Sequence, residues 1–359
     1  MTFSQSYAQA RRKFLDAATA RGLPVESHVM GDRTGAQGEA LATDTALIGR
    51  GDAENLLIVT SGTHGVEGFC GSGCQGALIG DEELAGRLGP ARSAMLLVHA
   101  VNPWGFSHLR RTNEDNIDLN RNCVDFAATR PANAGYRDLD ALLMPATWPP
   151  TAENEQAIAA YQQRHGMPAF QRAVSAGQYE IADGLFYGGT GPAWSQRTMR
   201  AILERHGAGC KRIGWIDIHT GLGPWGHGEK IFAGRPVAEE LARARAWWGN
   251  DVFATFEPGS VSADVTGPVV GLGQQVCPQA EFTGMGLEFG TLPMAEVLLA
   301  LRADHWLHRN PQAPAGQAAA IKRALRDAFY GDSDGWKGMV TAQTRVAVLQ
   351  AIIGLGRPG

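Results

Sequence analysis

The sequence predicts an α/β protein, a single domain over residues 1–359 built on a mixed, mostly parallel sheet with helices on both faces. Three observations predict it. Short apolar runs at Asn55–Thr60, Ala94–Val101 and Lys211–Ile218 have the length of strands buried on both sides. Helix-periodic stretches separate them, and strand, helix, strand in that order builds parallel crossovers. Glycine or an Asn-Pro pair follows the runs closely, as turn chemistry requires.

Residues 5–22 have the spacing of an amphipathic helix with Phe14, Leu15 and Ala18 turned inward. The run at 55–60 is the first strand, and Gly68–Ile79 follows as a helix whose glycines imply close packing. The run at 94–101 is the second, ending at the Asn102-Pro103 breaker. Residues 125–191 are the least sheet-like part, with proline-rich breaks at 145–151 and a helical middle; they are expected to be an insertion. Ser195–His206 is helical and leads into the third strand. Glu288 falls within or near the end of a further strand. A helical region occupies about 293–359, with helices at 293–305, 314–330 and 338–353; Pro293 suits a first turn.

Composition narrows the function. A formal charge of −4 over 359 residues, without a basic run interleaved with aromatics, excludes general affinity for nucleic acid. Five cysteines (Cys70, Cys74, Cys123, Cys210, Cys277) are an odd number in a long chain and do not suggest a disulfide framework. Met1–Arg21 has no apolar signal core, and no run is read as a membrane span, so a cytoplasmic location is expected. Trp247, Trp248 and Trp306 suit core positions better than an interface; oligomeric state is left open.

The segments that carry chemistry sit just after apolar runs, where open α/β sheets place their sites. His64 and Glu67 lie three residues apart in a glycine frame, Gly62, Gly65 and Gly68, that permits a sharp turn. Alone, such a pair is commonplace at a helix start. His219 and Glu288 change its weight, because two histidines and one carboxylate form a catalytic zinc set with a position left for water. A separate carboxylate can take that water's proton. Manganese, cobalt or nickel suits the same donors. Asp217, two residues before His219, either orients that ligand or holds the glycine loop after it. Arg121, between Asn120 and Asn122, offers a planar fork suited to a carboxylate; a solvated loop is the plain alternative. Arg110 and Arg111 either place a cation beside a developing oxyanion or are surface charges.

In order, His64-Gly-Val-Glu67, Asn102-Pro-Trp-Gly105, Arg110-Arg111, Asp118-Leu-Asn-Arg-Asn122, His219 and Glu288 resemble the zinc metallocarboxypeptidase superfamily over roughly residues 54–293. The glycine framing is also similar to its aspartoacylase and succinylglutamate desuccinylase branch. The resemblance implies one zinc ion on His64, Glu67 and His219, with Glu288 as general base and acid. It implies that Asn120 and Arg121 grip a substrate carboxylate and that Asp118 bonds the outer nitrogen of His64. Arg111, or failing it Arg110, would polarise the scissile carbonyl. The stretch between Arg121 and His219 is wider than in secreted digestive members, and 251–280 offers no counterpart of their mobile tyrosine.

The expected activity is cleavage of an amide bond next to a free carboxylate in a small peptide. The same zinc site acting on N-acyl amino acids is the first alternative, and a non-catalytic zinc or amino-acid-binding protein the second. A serine hydrolase using Ser61 or Ser72 ranks below these, since neither lies in a Gly-x-Ser-x-Gly elbow.

Overall fold

The three apolar runs become neighbouring strands at the centre of an eight-stranded sheet. The computed structural model describes residues 2–257, 260 and 265–357, so part of the 251–280 segment lies outside the described residues. The strands are β1 (Val25–Thr34), β2 (Ala40–Ile48), β3 (Asn55–Ser61), β4 (Ser93–His99), β5 (Arg212–Trp225), β6 (Gly228–Phe232), β7 (Val252–Phe253) and β8 (Glu281–Gly290). Their order across the sheet is β1-β2-β4-β3-β5-β8-β6-β7. The central four, β4, β3, β5 and β8, are parallel, while β1, β2 and β6 add antiparallel pairings.

β3, β4 and the first half of β5 are mostly apolar because helices cover both faces. Leu57, Val59, Met95, Leu97, Ile216 and Ile218 point into one core layer, beneath helices Tyr7–Ala20, Gly68–Ile79 and Asp334–Gly356. Their neighbours Leu56, Ile58, Leu96, Val98 and Trp215 point into the other, beneath Met199, Ile202 and Leu203 of helix Trp194–Gly207. The flanking strands carried no such run: β1 reads Val-Glu-Ser-His-Val-Met-Gly-Asp-Arg-Thr and is largely exposed. Strand β5 also outruns its expected end by several residues, which leaves His219 inside the strand.

Residues 125–191 contain helices Ala134–Leu143, Ala152–His165 and Met167–Ser175. Tyr136, Leu139, Ile158 and Phe170 from these helices pack with Val297, Leu301 and Leu325 of helices Met294–Arg309 and Ala315–Phe329. The last helix begins at Asp334 rather than near 338, because the Ser333 hydroxyl accepts from Trp336 N and caps it. This 23-residue helix is long and apolar enough to cross a membrane by length and composition. Its Trp336, Val340, Val348, Ile352 and Leu355 are nonetheless part of the sheet core. Trp247, Trp248 and Trp306 are buried, and all five cysteines are buried free thiols.

Two enclosed imidazoles make this fold sensitive to acid. Burial pushes His99 down to about 4 and His305 down to about 3, the latter helped by Arg110. Both ring nitrogens of His305 lack a partner. Because both folded values lie below the unfolded value of about 6.5, the unfolded chain binds these protons more tightly. Their contribution to stability is full above that value and is lost as pH falls toward 4. A loss on the order of 3 kcal/mol per site is expected at pH 4. Urea unfolding at pH 7 and pH 4 measures it, and His305→Leu should flatten the dependence.

Candidate metal centre

The crevice lies where β4 and β5 leave opposite sides of β3, the point at which open sheets accept ligands. After Ser61 the chain turns at Gly62, whose φ of +64° favours glycine, and reaches His64 at the start of a 3₁₀ turn, Gly65–Glu67. Gly65 N and Val66 N donate to the carbonyls of Arg111 and Arg110 at 3.2 and 2.9 Å. A Cβ on Gly65 would stand 2.0 Å from the Gly105 carbonyl carbon, so the turn can press against this loop only as glycine. Across the crevice, His219 on β5 is in register with Glu288 on β8.

These elements bring His64, Glu67 and His219 together. His64 Nδ1 lies 2.8 Å from Glu67 Oε1, and His219 Nδ1 lies 2.9 Å from Glu67 Oε2. The donor atoms of the three residues fall within 4.8 Å of one another, and all three residues are buried. The outer nitrogens face carboxylates: His219 Nε2 is 2.7 Å from Asp217 Oδ2, and His64 Nε2 is 3.3 Å from Asp118 Oδ1. Asp217 accepts from the hydroxyls of Thr60 and Thr63 at 2.6 and 2.9 Å. An imidazole whose Nε2–H is drawn to a carboxylate keeps its Nδ1 lone pair for a cation, so the donor set fits a divalent ion.

The electrostatics agree with that donor set. Burial alone would raise the Glu67 carboxyl, but the two imidazoles outweigh it and hold it below the usual carboxylate range. Asp118 is likewise held well below that range despite burial, by Arg111, Arg121 and His64. Burial opposes the charge on His219, yet Asp217 and Glu67 raise it well above the ordinary imidazole value. Metal binding must therefore expel a proton from this ring, and affinity should fall as the medium becomes more acidic.

Glu288 behaves differently. It is half-buried, and one oxygen accepts from Leu222 N at 3.0 Å. Burial first, and then the Glu67 charge, push its carboxyl up to about 7.

Arg111 reaches the same cluster. Its Nε donates to Asp118 at 2.9 Å, Nη1 to Glu67 at 3.3 Å, and Nη2 lies 2.8 Å from His64 Nε2. That last contact competes with a His64 proton directed at Asp118, so the metal-ready tautomer requires Nη2 to shift off the ring. Arg110 is a correction. Its guanidinium is buried away from the metal residues, bonded to Asp304 at 3.0 Å, Asn116 at 3.0 Å and His308 at 2.9 Å. Held there by Asp304, which also accepts from Lys322 at 2.6 Å, it is buried rather than a surface charge and is committed to partners other than the metal residues.

Asn120 sets its Nδ2 3.5 Å from His219 Nε2 while its Oδ1 accepts from Val269 N at 2.9 Å. Arg121 is turned inward: Nη1 donates to the Asn120 carbonyl, Nη2 to the Ser175 carbonyl, and the buried Nε has no partner. Thr60, Thr63, Ser175 and Phe186 carry no site role in the sequence pattern. The two threonines flank Ser61-Gly62 and could have been found there, whereas Ser175 and Phe186 depend on the path of distant chain.

Ser72 does have a histidine, with its Oγ 3.0 Å from His99 Nε2. The pair is sealed in the core, His99 stacked on Phe14, so no substrate can reach it. Ser61 bonds Gln75 and is equally enclosed.

Residues 3–343 match the model of a family described as "Protein of unknown function (DUF2817)". No curated protein matches the chain by sequence. Among solved structures, the chain is similar to bovine thrombin-activatable fibrinolysis inhibitor in complex with tick carboxypeptidase inhibitor, at 11% identity and a TM-score of 0.47, covering 97% of each chain. It is also similar to carboxypeptidase A from Helicoverpa armigera, at 12% identity and 0.44, covering 96% of this chain and 74% of that one. A metallo-carboxypeptidase from Pseudomonas aeruginosa follows at 16% and 0.39, with 97% and 69% covered.

Proposed function

The chain belongs to the DUF2817 family, and from its own site we propose that it is a zinc-dependent hydrolase of amide bonds next to a free carboxylate, acting in the manner of a carboxypeptidase. One observation carries this reading. Two imidazole Nδ1 atoms meet the two oxygens of one carboxylate, and a second carboxylate, protonatable near neutral pH, stands beside them.

His64, Glu67 and His219 would hold the ion, with Asp118 and Asp217 fixing the imidazoles. A divalent cation there supplies Lewis acidity and lowers the pKa of a bound water. Glu288 accepts the proton of the attacking water and returns it to the departing nitrogen. Leu222 N keeps that carboxylate aimed by holding one of its oxygens. Arg111 donates to the carbonyl oxygen as it gains charge. Asn120 and Arg121 would anchor the substrate carboxylate, Arg121 turning part of its fork from the backbone carbonyls it now holds.

A second reading, N-acyl amino acid deacylation by the same residues, is favoured by the helical stretch between β4 and β5. Ser175 and Phe186 from it close over Arg121, which suits a small substrate better than a long peptide.

Elemental analysis combined with a panel of carboxylate-ended amides tests the proposal. About one zinc per chain and hydrolysis lost on chelation and restored by zinc are the expected results. Blocked dipeptides against N-acetyl and N-succinyl amino acids separate the two readings. Bound zinc with no hydrolysis across the panel would overturn both and favour a binding protein. Chelator-resistant hydrolysis would remove the metal from the mechanism.

A further inference from the structure

We infer that Phe186 is a positioning residue whose ring holds the guanidinium groups of Arg111 and Arg121 as one cationic platform, Arg121 for the substrate carboxylate and Arg111 for the carbonyl beside it. The inference rests on the carboxylate-anchoring reading above and names the residue that makes it work.

Arg111 Cζ lies 5.2 Å from the centroid of the Phe186 ring, and Arg121 Cζ lies 5.5 Å from the same centroid. Two like charges so placed repel each other. The nearest anion to both is Asp118, 2.9 Å from Arg111 Nε and 3.9 Å from Arg121 Nη1. That carboxylate is already engaged, since its Oδ1 accepts from Asn120 N and lies near His64 Nε2. Arg111 Nη1 also donates to Glu67 at 3.3 Å, but Glu67 is shared with His64 and His219, so Asp118 is the one carboxylate that both guanidinium groups meet. An aromatic face stabilises the crowded cations without discharging them, which leaves positive charge for an incoming anion.

The backbone is an independent sign. Phe186 adopts φ +53°, a left-handed conformation that is costly for a bulky side chain and that persists where surrounding structure enforces it. The enforcement is visible: Gln178 N donates to the Phe186 carbonyl at 3.2 Å, and Leu185 N donates to the Tyr136 hydroxyl at 2.5 Å. Tyr136 and Gln178 both belong to the stretch between β4 and β5, whose Ser175 carbonyl also takes Arg121 Nη2. This stretch thus meets the two arginine side chains through the ring of a strained residue and the Ser175 carbonyl.

The test follows the arginine side-chain N–H resonances of the zinc-loaded full chain by ¹⁵N NMR. It titrates in 3-phenylpropanoate, which has no bond to cleave, with 3-phenylpropan-1-ol as the uncharged control. In the wild type the ring-shifted guanidinium signals should move with the acid and not with the alcohol. Phe186→Leu should abolish the ring shifts and raise the Kd of the acid about 3- to 30-fold. Phe186→Tyr should retain wild-type affinity. Pentafluorophenylalanine at 186 keeps the shape but withdraws the electron-rich face, so it should also weaken the acid and decides the matter if the leucine variant does not fold. Wild-type affinity in the pentafluoro protein overturns the inference while leaving the arginine anchor intact. Arginine signals that ignore the acid even in the wild type overturn the anchor and this inference with it.

Discussion

Glu288→Gln is expected to leave zinc bound and to lower kcat by about 10²–10⁴-fold. The substitution is nearly isosteric, and a glutamine oxygen can still accept from Leu222 N, so the side chain should keep its place. What it loses is the capacity to take a proton from water and hand it on. Because Glu288 is not one of the three clustered donors, metal content should not change. The pH profile adds a second readout. With the carboxyl pushed up to about 7 by burial and by Glu67, the base form accumulates as pH rises. Wild-type kcat/KM should therefore climb on the acid side, at a pH that the neighbouring cation draws below that value. The variant should lack this limb. Full turnover in Glu288→Gln would remove the residue from the mechanism.

His219→Ala is expected to abolish stable metal binding and to unsettle the metal-free protein as well. In the absence of a metal, the His219 cation lies between Asp217 Oδ2 and Glu67 Oε2, at 2.7 and 2.9 Å. Removing one partner of a buried ionic group typically costs about 3–5 kcal/mol, because the remaining charges stay enclosed. Asp217→Asn is the graded control. It keeps the ligand but weakens the hold on its outer nitrogen, and such a loss lowers metal affinity by about 10–100-fold. Competitive zinc titration should rank wild type above Asp217→Asn and Asp217→Asn above His219→Ala. Unaltered zinc affinity in His219→Ala would sink the assignment of this cluster as the metal centre.

Which of these residues could be found in the sequence depends on how local their signal is. His64 and Glu67 are close in the chain, in a glycine frame that the crowding of Gly65 against Gly105 explains. Asp217 and His219, two apart on β5, approach through their side chains, and that too is a local relation. Arg110 and Arg111 are adjacent, and nothing local separates them. Only the helix that carries Asp304 decides that Arg110 is a buried structural cation, while Arg111 meets Glu67 and Asp118. Phe186 had no signal at all, since its role exists only where a distant loop crosses two guanidinium groups.

The amino-acid order alone determined the central strands, through apolar runs that need cover on both faces, and the chemical type of the donors that follow them. Those are properties of short segments, fixed by side-chain period and by ligand preference. Strand order, the flanking strands β1, β2, β6 and β7, and the partition of the arginines were decided only by tertiary packing. Polar and partly exposed strands carry no continuous apolar run. A charge in a low-dielectric interior, moreover, takes its role from whichever opposite charge the fold brings within a few ångströms.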